Sequence, residues 1–149
     1  MAQMIAVAIY AAIAATIGLG WKIYDIVRDR PKAKVQVRFD HVFYGNGQKY
    51  STNIVMQATN TGCRPLTLIG AGFSSPSGEM FTYIPSSGEF PKRLDEGEIH
   101  EILVELGRLK EAIKETALTE PPTMAWFKDA IGRYYKGNIP TNVRKALLG

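Results

Sequence analysis

The first 21 residues carry no charged side chain. A helix over residues 4–21 would rise about 27 Å, close to the roughly 30 Å hydrocarbon thickness of a bilayer. A helix buried in a domain of this size normally shows a polar face, and here Gln3, Tyr10 and Thr16 are the only polar breaks. A cleaved secretory signal would open on Lys or Arg, and none precedes the apolar run. The expectation is a single transmembrane helix within an anchor and basic juxtamembrane segment, residues 1–33, followed by one domain, residues 34–149.

Charge placement sets the expected orientation. Lys22, Arg28, Arg30, Lys32, Lys34 and Arg38 follow the apolar run against Asp25 and Asp29, while from Phe39 onward basic and acidic residues balance. The whole formal charge of +4 therefore sits in this collar. Basic flanks stay in the cytoplasm, which predicts an outside N-terminus and a domain on the cytoplasmic side. A positive belt beside a bilayer is a topology signal that also meets anionic lipid, so nucleic acid is not the expected partner. Trp21, Lys22 and Tyr24, with Arg28 and Arg30 beyond them, are the expected membrane-interface residues. Cys63 is the only cysteine, so the chain holds no disulfide within itself, consistent with a reducing compartment.

Inside the run, Ala8, Ala12, Thr16 and Gly20 recur every fourth residue, with Ala11, Ala14, Ala15 and Gly18 beside them. Such a smooth stripe suits close packing of transmembrane helices, and it predicts partner helices of a larger complex or of a homo-oligomer.

Past Pro31 the pattern changes period. Val35, Val37 and Phe39 alternate with Gln36, Arg38 and Asp40, which predicts a strand that residues 42–44 extend, and Gly45, Asn46 and Gly47 read as a turn. Further strands are expected over 50–59, with Ile54, Met56 and Ala58 on one face, over 66–73, where Gly70 and Gly72 suggest a bulge or a close backbone approach, and over 80–84. Residues 98–118 fit both periods; Gly107 divides them into a strand over 98–105 and a helix over 108–117. A hairpin over 123–128 and 133–136 and a short helix over 140–148 complete the chain. Six or seven short strands with turns near every ten residues predict a mainly β fold, an immunoglobulin-like β-sandwich with one or two short helices.

Three turn segments carry a resemblance: Asn60, Thr61, Gly62, Cys63, Arg64, Pro65, Leu66, Thr67 and Leu68; then Leu94, Asp95, Glu96, Gly97 and Glu98; then Asp129, Ala130, Ile131, Gly132 and Arg133. Together they look like the small single-span immunoglobulin-like proteins of bacteria and their phages, most of them uncharacterised. The resemblance implies a sandwich and no activity. The chain lacks the cysteine pair of antibody domains and places Trp126 near its end, so antibody-type packing is not carried over.

Chemistry-bearing residues are few. His41 and His100 are the only histidines and read as solvated surface residues; with one cysteine they cannot complete a four-ligand zinc site of Cys and His. The neighbours Asp40 with His41 and His100 with Glu101 would point to opposite faces of a strand, the wrong geometry for a base and its orienting group. No nucleophile elbow or phosphate-binding glycine motif occurs. Asp95, Glu96 and Glu98 around Gly97 read as turn residues and not as a calcium loop, and Cys63 beside Arg64 and Pro65 as a structural corner. The expectation is no enzyme, no metal, no cofactor and no small-molecule substrate. The aromatic and basic hairpin, Trp126, Phe127, Arg133, Tyr134 and Tyr135, is the candidate protein-contact surface, with one residue of each consecutive aromatic pair expected to face outward, and it also suits lipid head groups. The predicted role is a non-catalytic accessory or scaffold subunit of a membrane assembly. The alternatives are a self-associating single-span adaptor or receptor for a peptide or ligand and, behind it, a membrane-tethered enzyme.

Overall fold

The computed structural model describes residues 2–42, 51–83, 88–116 and 120–148. The expected turn at 45–47 and the start of the second strand at Tyr50 lie outside them. A long helix, α1 (Ala2–Arg28), comes first, and a mainly β domain follows. Its strands are β1 (Ala33–Val42), β2 (Ser51–Asn60), β3 (Leu66–Ser74), β4 (Met80–Tyr83), β5 (Lys92–Leu94), β6 (Ile99–Glu105), β7 (Met124–Asp129) and β8 (Tyr134–Asn138). Two short helices, α2 (Leu106–Glu115) and α3 (Thr141–Leu148), bring the described helices to three.

Every strand pairing is antiparallel. One sheet runs β1-β2-β6; the other runs β4-β3-β7-β8, with β5 also paired to β3. The alternation read from sequence sets the phase of the first sheet: Val35 and Val37, then Ile54, Met56 and Ala58, then Ile102 and Val104 point inward. They meet Leu66, Leu68, Ala71 and Phe73 of β3, Leu94 of β5, and Ala125 and Phe127 of β7. Leu109 of α2 and Val143 and Leu147 of α3 close the core.

Two glycines set how closely the backbones approach. A Cβ on Gly137 of β8 would lie 2.3 Å from the Val35 carbonyl oxygen of β1, so the two sheets meet along this line with no side chain between them. A Cβ on Gly72 of β3 would lie 1.8 Å from the Phe81 carbonyl oxygen and 2.5 Å from the Trp126 ring. The pairing of β3 with β7 shifts between Leu68 and Gly70, leaving Ile69 outside the ladder as a bulge.

Three details differ from the sequence reading. The strand β5 was not expected, because three residues, Lys92, Arg93 and Leu94, are too few to show a period. The strand-to-helix change falls between Glu105 and Leu106, so Gly107 sits inside the first turn of α2 instead of dividing the elements. His100 is half-buried and not a solvated surface residue: it shares the inward phase of Ile102 and Val104 and packs edge-on against Phe90 and Phe127, with ring centroids 5.6 and 6.5 Å away.

Candidate functional site

The last turn of α1 closes with the Asp29 N–H donating to the Asp25 carbonyl, and Pro31 ends the helical path. At the next residue the chain is seized by the turn that follows β2. The Lys32 carbonyl accepts the N–H groups of Thr61 (2.9 Å) and Gly62 (3.2 Å). Gly62 is required there, since a Cβ would stand 2.7 Å from both the Arg30 oxygen and the Lys32 nitrogen. Arg64 completes the clasp: its Nη2 and Nε donate to Asp29 Oδ2 at 2.6 and 3.2 Å.

Asn60 holds this turn rigid from beneath. Its side chain is buried, donating through Nδ2 to the carbonyls of Arg64 (2.9 Å) and Leu94 (3.1 Å) and accepting the Gly62 N–H through Oδ1 at 3.0 Å. A buried amide satisfied on both ends fixes one loop geometry, because any other leaves polar atoms dry and unpaired. The β5–β6 turn is drawn to the same end, with the Gly97 N–H donating to Asn60 O and the Asn60 N–H to Glu98 O.

The predicted helix-packing residues Ala8, Ala12, Thr16 and Gly20 all lie exposed on α1. The Thr16 hydroxyl donates to the Ala12 carbonyl at 2.8 Å, so the one polar group of the stripe is satisfied within the helix. Among the described residues outside the helix's own backbone, nothing lies within 4 Å of a Cβ built on Gly18 or Gly20. Trp21 and Tyr24 tilt against each other with centroids 6.1 Å apart, and Lys22, Arg28 and Arg30 are exposed along and just past the same turns.

The candidate contact hairpin is corrected in part. Trp126 and Phe127 are 3% and 0% exposed, so neither side chain is available to a partner. Phe127 fills the core as its phase requires; Trp126 points to the opposite face but packs against Gly72, donates its indole N–H to the Phe73 carbonyl at 3.0 Å, and makes a T-shaped contact with Tyr134, ring centroids 5.3 Å apart. The missing side chain at Gly72 leaves room for that packing. Tyr134 and Arg133 are exposed and Tyr135 is half-buried, so the surface left to the hairpin is smaller and more basic than expected.

The turn of this hairpin is built on Asp129, which is buried. Its Oδ1 accepts the N–H groups of Ile131 (3.1 Å) and Arg133 (2.8 Å), and its Oδ2 accepts the Tyr135 hydroxyl at 2.9 Å. Burial first, and then this carboxylate, raises the Tyr135 phenol above its ordinary pKa. The Ala130 N–H donates to the Thr67 carbonyl at 2.9 Å, tying the turn to the start of β3. As a result Ala130 and Ile131 share with Pro31 and Pro65 a depression of about 190 Å³, which places the hairpin tip beside the point where α1 joins the domain.

Other chemistry-bearing groups are scattered. His41 and Cys63 are exposed, and no cluster of three or more His, Cys, Asp or Glu able to hold a metal occurs among the described residues. At the acidic turn, Glu98 Oε2 accepts the Asp95 N–H at 2.9 Å and Asp95 Oδ1 accepts Arg93 Nε at 3.2 Å, so two of its carboxylates are engaged in shaping the loop. An apolar groove of about 340 Å³ lies between α2 and β4, lined by Met80, Phe81, Tyr83, Leu109 and Ile113 among others. Sequence names Asp29 only as a charge and Gly62, Arg64 and Ile131 only as turn residues, not as parts of one junction. The turn at 60–62 was legible, but its contact with residues 29–32 leaves no local signal.

No family model matches the chain, and no curated protein matches it. Among solved structures, a Bordetella pertussis protein described as ApaA is 14% identical, covering 75% of this chain and 91% of its own, at a TM-score of 0.35. A second, the Northeast Structural Genomics Consortium target SoR45, is 10% identical over 74% of this chain and 82% of its own, at a TM-score of 0.32. At these scores neither likeness carries a fold or a function over to this chain.

Proposed function

We propose that this protein is a single-pass membrane protein in which α1 crosses the bilayer and the β domain, an immunoglobulin-like sandwich on the cytoplasmic side, serves as a non-catalytic accessory or scaffold subunit of a larger membrane assembly. The observation that carries this reading is the state of α1. It is long and apolar enough to cross a membrane, none of its most apolar window is buried by the domain, and yet its end is locked to that domain. An apolar helix left bare by its own fold needs lipid or other helices around it.

The small-residue stripe supplies the docking face for a partner's helices, and the basic residues that follow favour the cytoplasmic side. Kinship with the single-span immunoglobulin-like proteins of bacteria and phages belongs to the same proposal, supported by two antiparallel sheets around one core. Purification of the native protein in mild detergent tests it. Partner proteins co-purify, and Ala12→Leu or Gly20→Leu releases them; retention of the same partners by both variants refutes the stripe as the docking face.

A second reading, a self-associating adaptor, is favoured by Ile99 and Leu103, which stand about half exposed on β6 at the edge of the three-stranded sheet. Cross-linking of the protein expressed alone separates the two: homo-oligomers support self-association, and a monomer supports the accessory role.

A further inference from the structure

We propose that the β7–β8 turn is a second membrane contact, which sets Ile131 and Arg133 into the head-group layer of an anionic leaflet and so tilts the domain onto one side. The inference rests on the reading of α1 as a membrane span. On that reading the helix leaves the hydrocarbon near Trp21 and Tyr24, and Asp29 follows about 8 Å further along the axis. The head-group layer is itself about 5–8 Å thick on each side. The clasp of Arg64 on Asp29 and the seat of Gly62 on Lys32 therefore hold the domain's near end at the outer edge of that layer.

The hairpin tip is fixed to the same level, because Ala130 and Ile131 line one depression with Pro31 and Pro65 and the Ala130 N–H is bonded to Thr67. Ile131 is 68% exposed. The Asp129 carboxylate is turned inward by its three hydrogen bonds, so the tip presents an apolar side chain and the exposed Arg133 in place of an acid. Arg30 and Lys32, both exposed, lie just beyond the helix end. An apolar tip flanked by guanidinium and ammonium groups is the chemistry that anionic lipid head groups receive.

The charge on the other flank decides the direction of lean. Leu68 pairs with Lys92 of β5 and with Asp129 of β7, so these strands occupy opposite edges of β3. The β5–β6 turn carries Asp95, Glu96 and Glu98, of which Asp95 is paired with Arg93 while Glu96 and Glu98 have no such cation among the described residues, and the Gly97 contact with Asn60 places the turn at this same end of the domain. One end of the domain thus has a basic, apolar side and an acidic side, and a negative surface attracts the first and repels the second.

The test uses the full-length protein with its one cysteine replaced, Cys63→Ser, in vesicles of phosphatidylcholine with about a third phosphatidylglycerol. A single cysteine bearing an environment-sensitive fluorophore is placed at Ala130, at Glu79 or at Ile13. Glu79 adjoins the far end of β3, about 25 Å away along the strand. Nitroxide lipids carrying the spin label at the head group or deep in the acyl chain act as quenchers.

The expected result is deep quenching at Ile13, and head-group quenching at Ala130 several-fold stronger than at Glu79. Adding Ile131→Asp with Arg133→Glu lowers the Ala130 signal to the Glu79 level while the unfolding midpoint stays unchanged. Equal quenching at Ala130 and Glu79 with Ile13 still deep overturns the hairpin contact and leaves the span intact. A shallow Ile13 overturns the span and the contact together.

Discussion

Arg64 holds the Asp29 carboxylate at 2.6 Å, joining the end of α1 to the turn that opens β3 at the end of the sheet where Ala33 of β1 pairs with Asn60 of β2. Both side chains are partly exposed, so the charge attraction itself is worth on the order of 0.5 kcal/mol. The steric fit of Gly62 beneath the Arg30 and Lys32 backbone is the stronger element of the same clasp. Asp29→Ala and Arg64→Ala are each expected to lower the stability of the detergent-solubilised protein by less than about 1 kcal/mol. Gly62→Ala is expected to cost about 2 kcal/mol or more, because backbone atoms on both sides must move. Urea unfolding followed by Trp126 fluorescence in a Trp21→Phe background measures all three, and equal losses for Gly62→Ala and Asp29→Ala would contradict the steric account.

The two glycines of β3 make a matched pair. Gly72 has no room for a methyl group, with the Phe81 carbonyl and the Trp126 ring in its place, whereas among the described residues nothing lies within 4 Å of a Cβ on Gly70. Gly72→Ala is predicted to destabilise by about 3 kcal/mol and to shift Trp126 emission to the red as the indole is lifted towards water. Gly70→Ala is predicted to change stability by less than about 1 kcal/mol in either direction. Comparable effects at the two positions would show that Trp126 does not bed on Gly72.

Asp129 is the keystone of the β7–β8 turn, since two backbone N–H groups and a phenol all donate to one buried carboxylate. Asp129→Ala leaves those donors without an acceptor and is expected to cost about 3 kcal/mol. Tyr135→Phe removes one of the three bonds and is expected to cost about 1 kcal/mol. Thermal unfolding of the three proteins orders them, and a Tyr135→Phe loss as large as that of Asp129→Ala would place the weight on the phenol instead.

His100 introduces a pH dependence. Burial, and then the nearby Lys92 charge, holds its imidazole below the ordinary value of 6.5, and its Nε2 is buried with no hydrogen-bond partner among the described residues. Between the depressed folded value and 6.5 the unfolded chain binds more protons than the folded one, so stability rises with pH across that window and is lost as the pH falls through it. His100→Leu is expected to flatten this part of the profile, with the wild-type protein losing stability relative to the variant below about pH 6.5. Parallel profiles for the two proteins would remove His100 from the account.

Some of this architecture was legible because it is local. Apolar length and the absence of charge define α1, and period-two alternation at Val35, Val37 and Phe39 or at Ile54, Met56 and Ala58 assigns the inward face before any partner strand is known. The bulge beside Gly70 and the turns at 60–62 and 129–133 follow from residue types that tolerate such backbones. Alternation stops short at the aromatic hairpin: it implies that one residue of each consecutive pair faces out, and the structure turns Trp126 to the outer face yet still buries it. The cross-strand partner of Trp126 is Gly72, which leaves room for the indole to settle against the sheet beside the Phe73 carbonyl and the Tyr134 ring.

The sequence by itself determined which stretches are apolar, which face of each strand is wet, and where the chain must turn, because each of these depends on side chains a few positions apart. Only the tertiary structure decided that the turn at 60–64 grips the end of α1, that Asp129 faces inward, and that the β7–β8 tip stands beside Pro31. Periodicity encodes a face but no partner. Contacts between residues dozens of positions apart are selected by the packing of two sheets around one core, a property of the whole chain that no single segment carries.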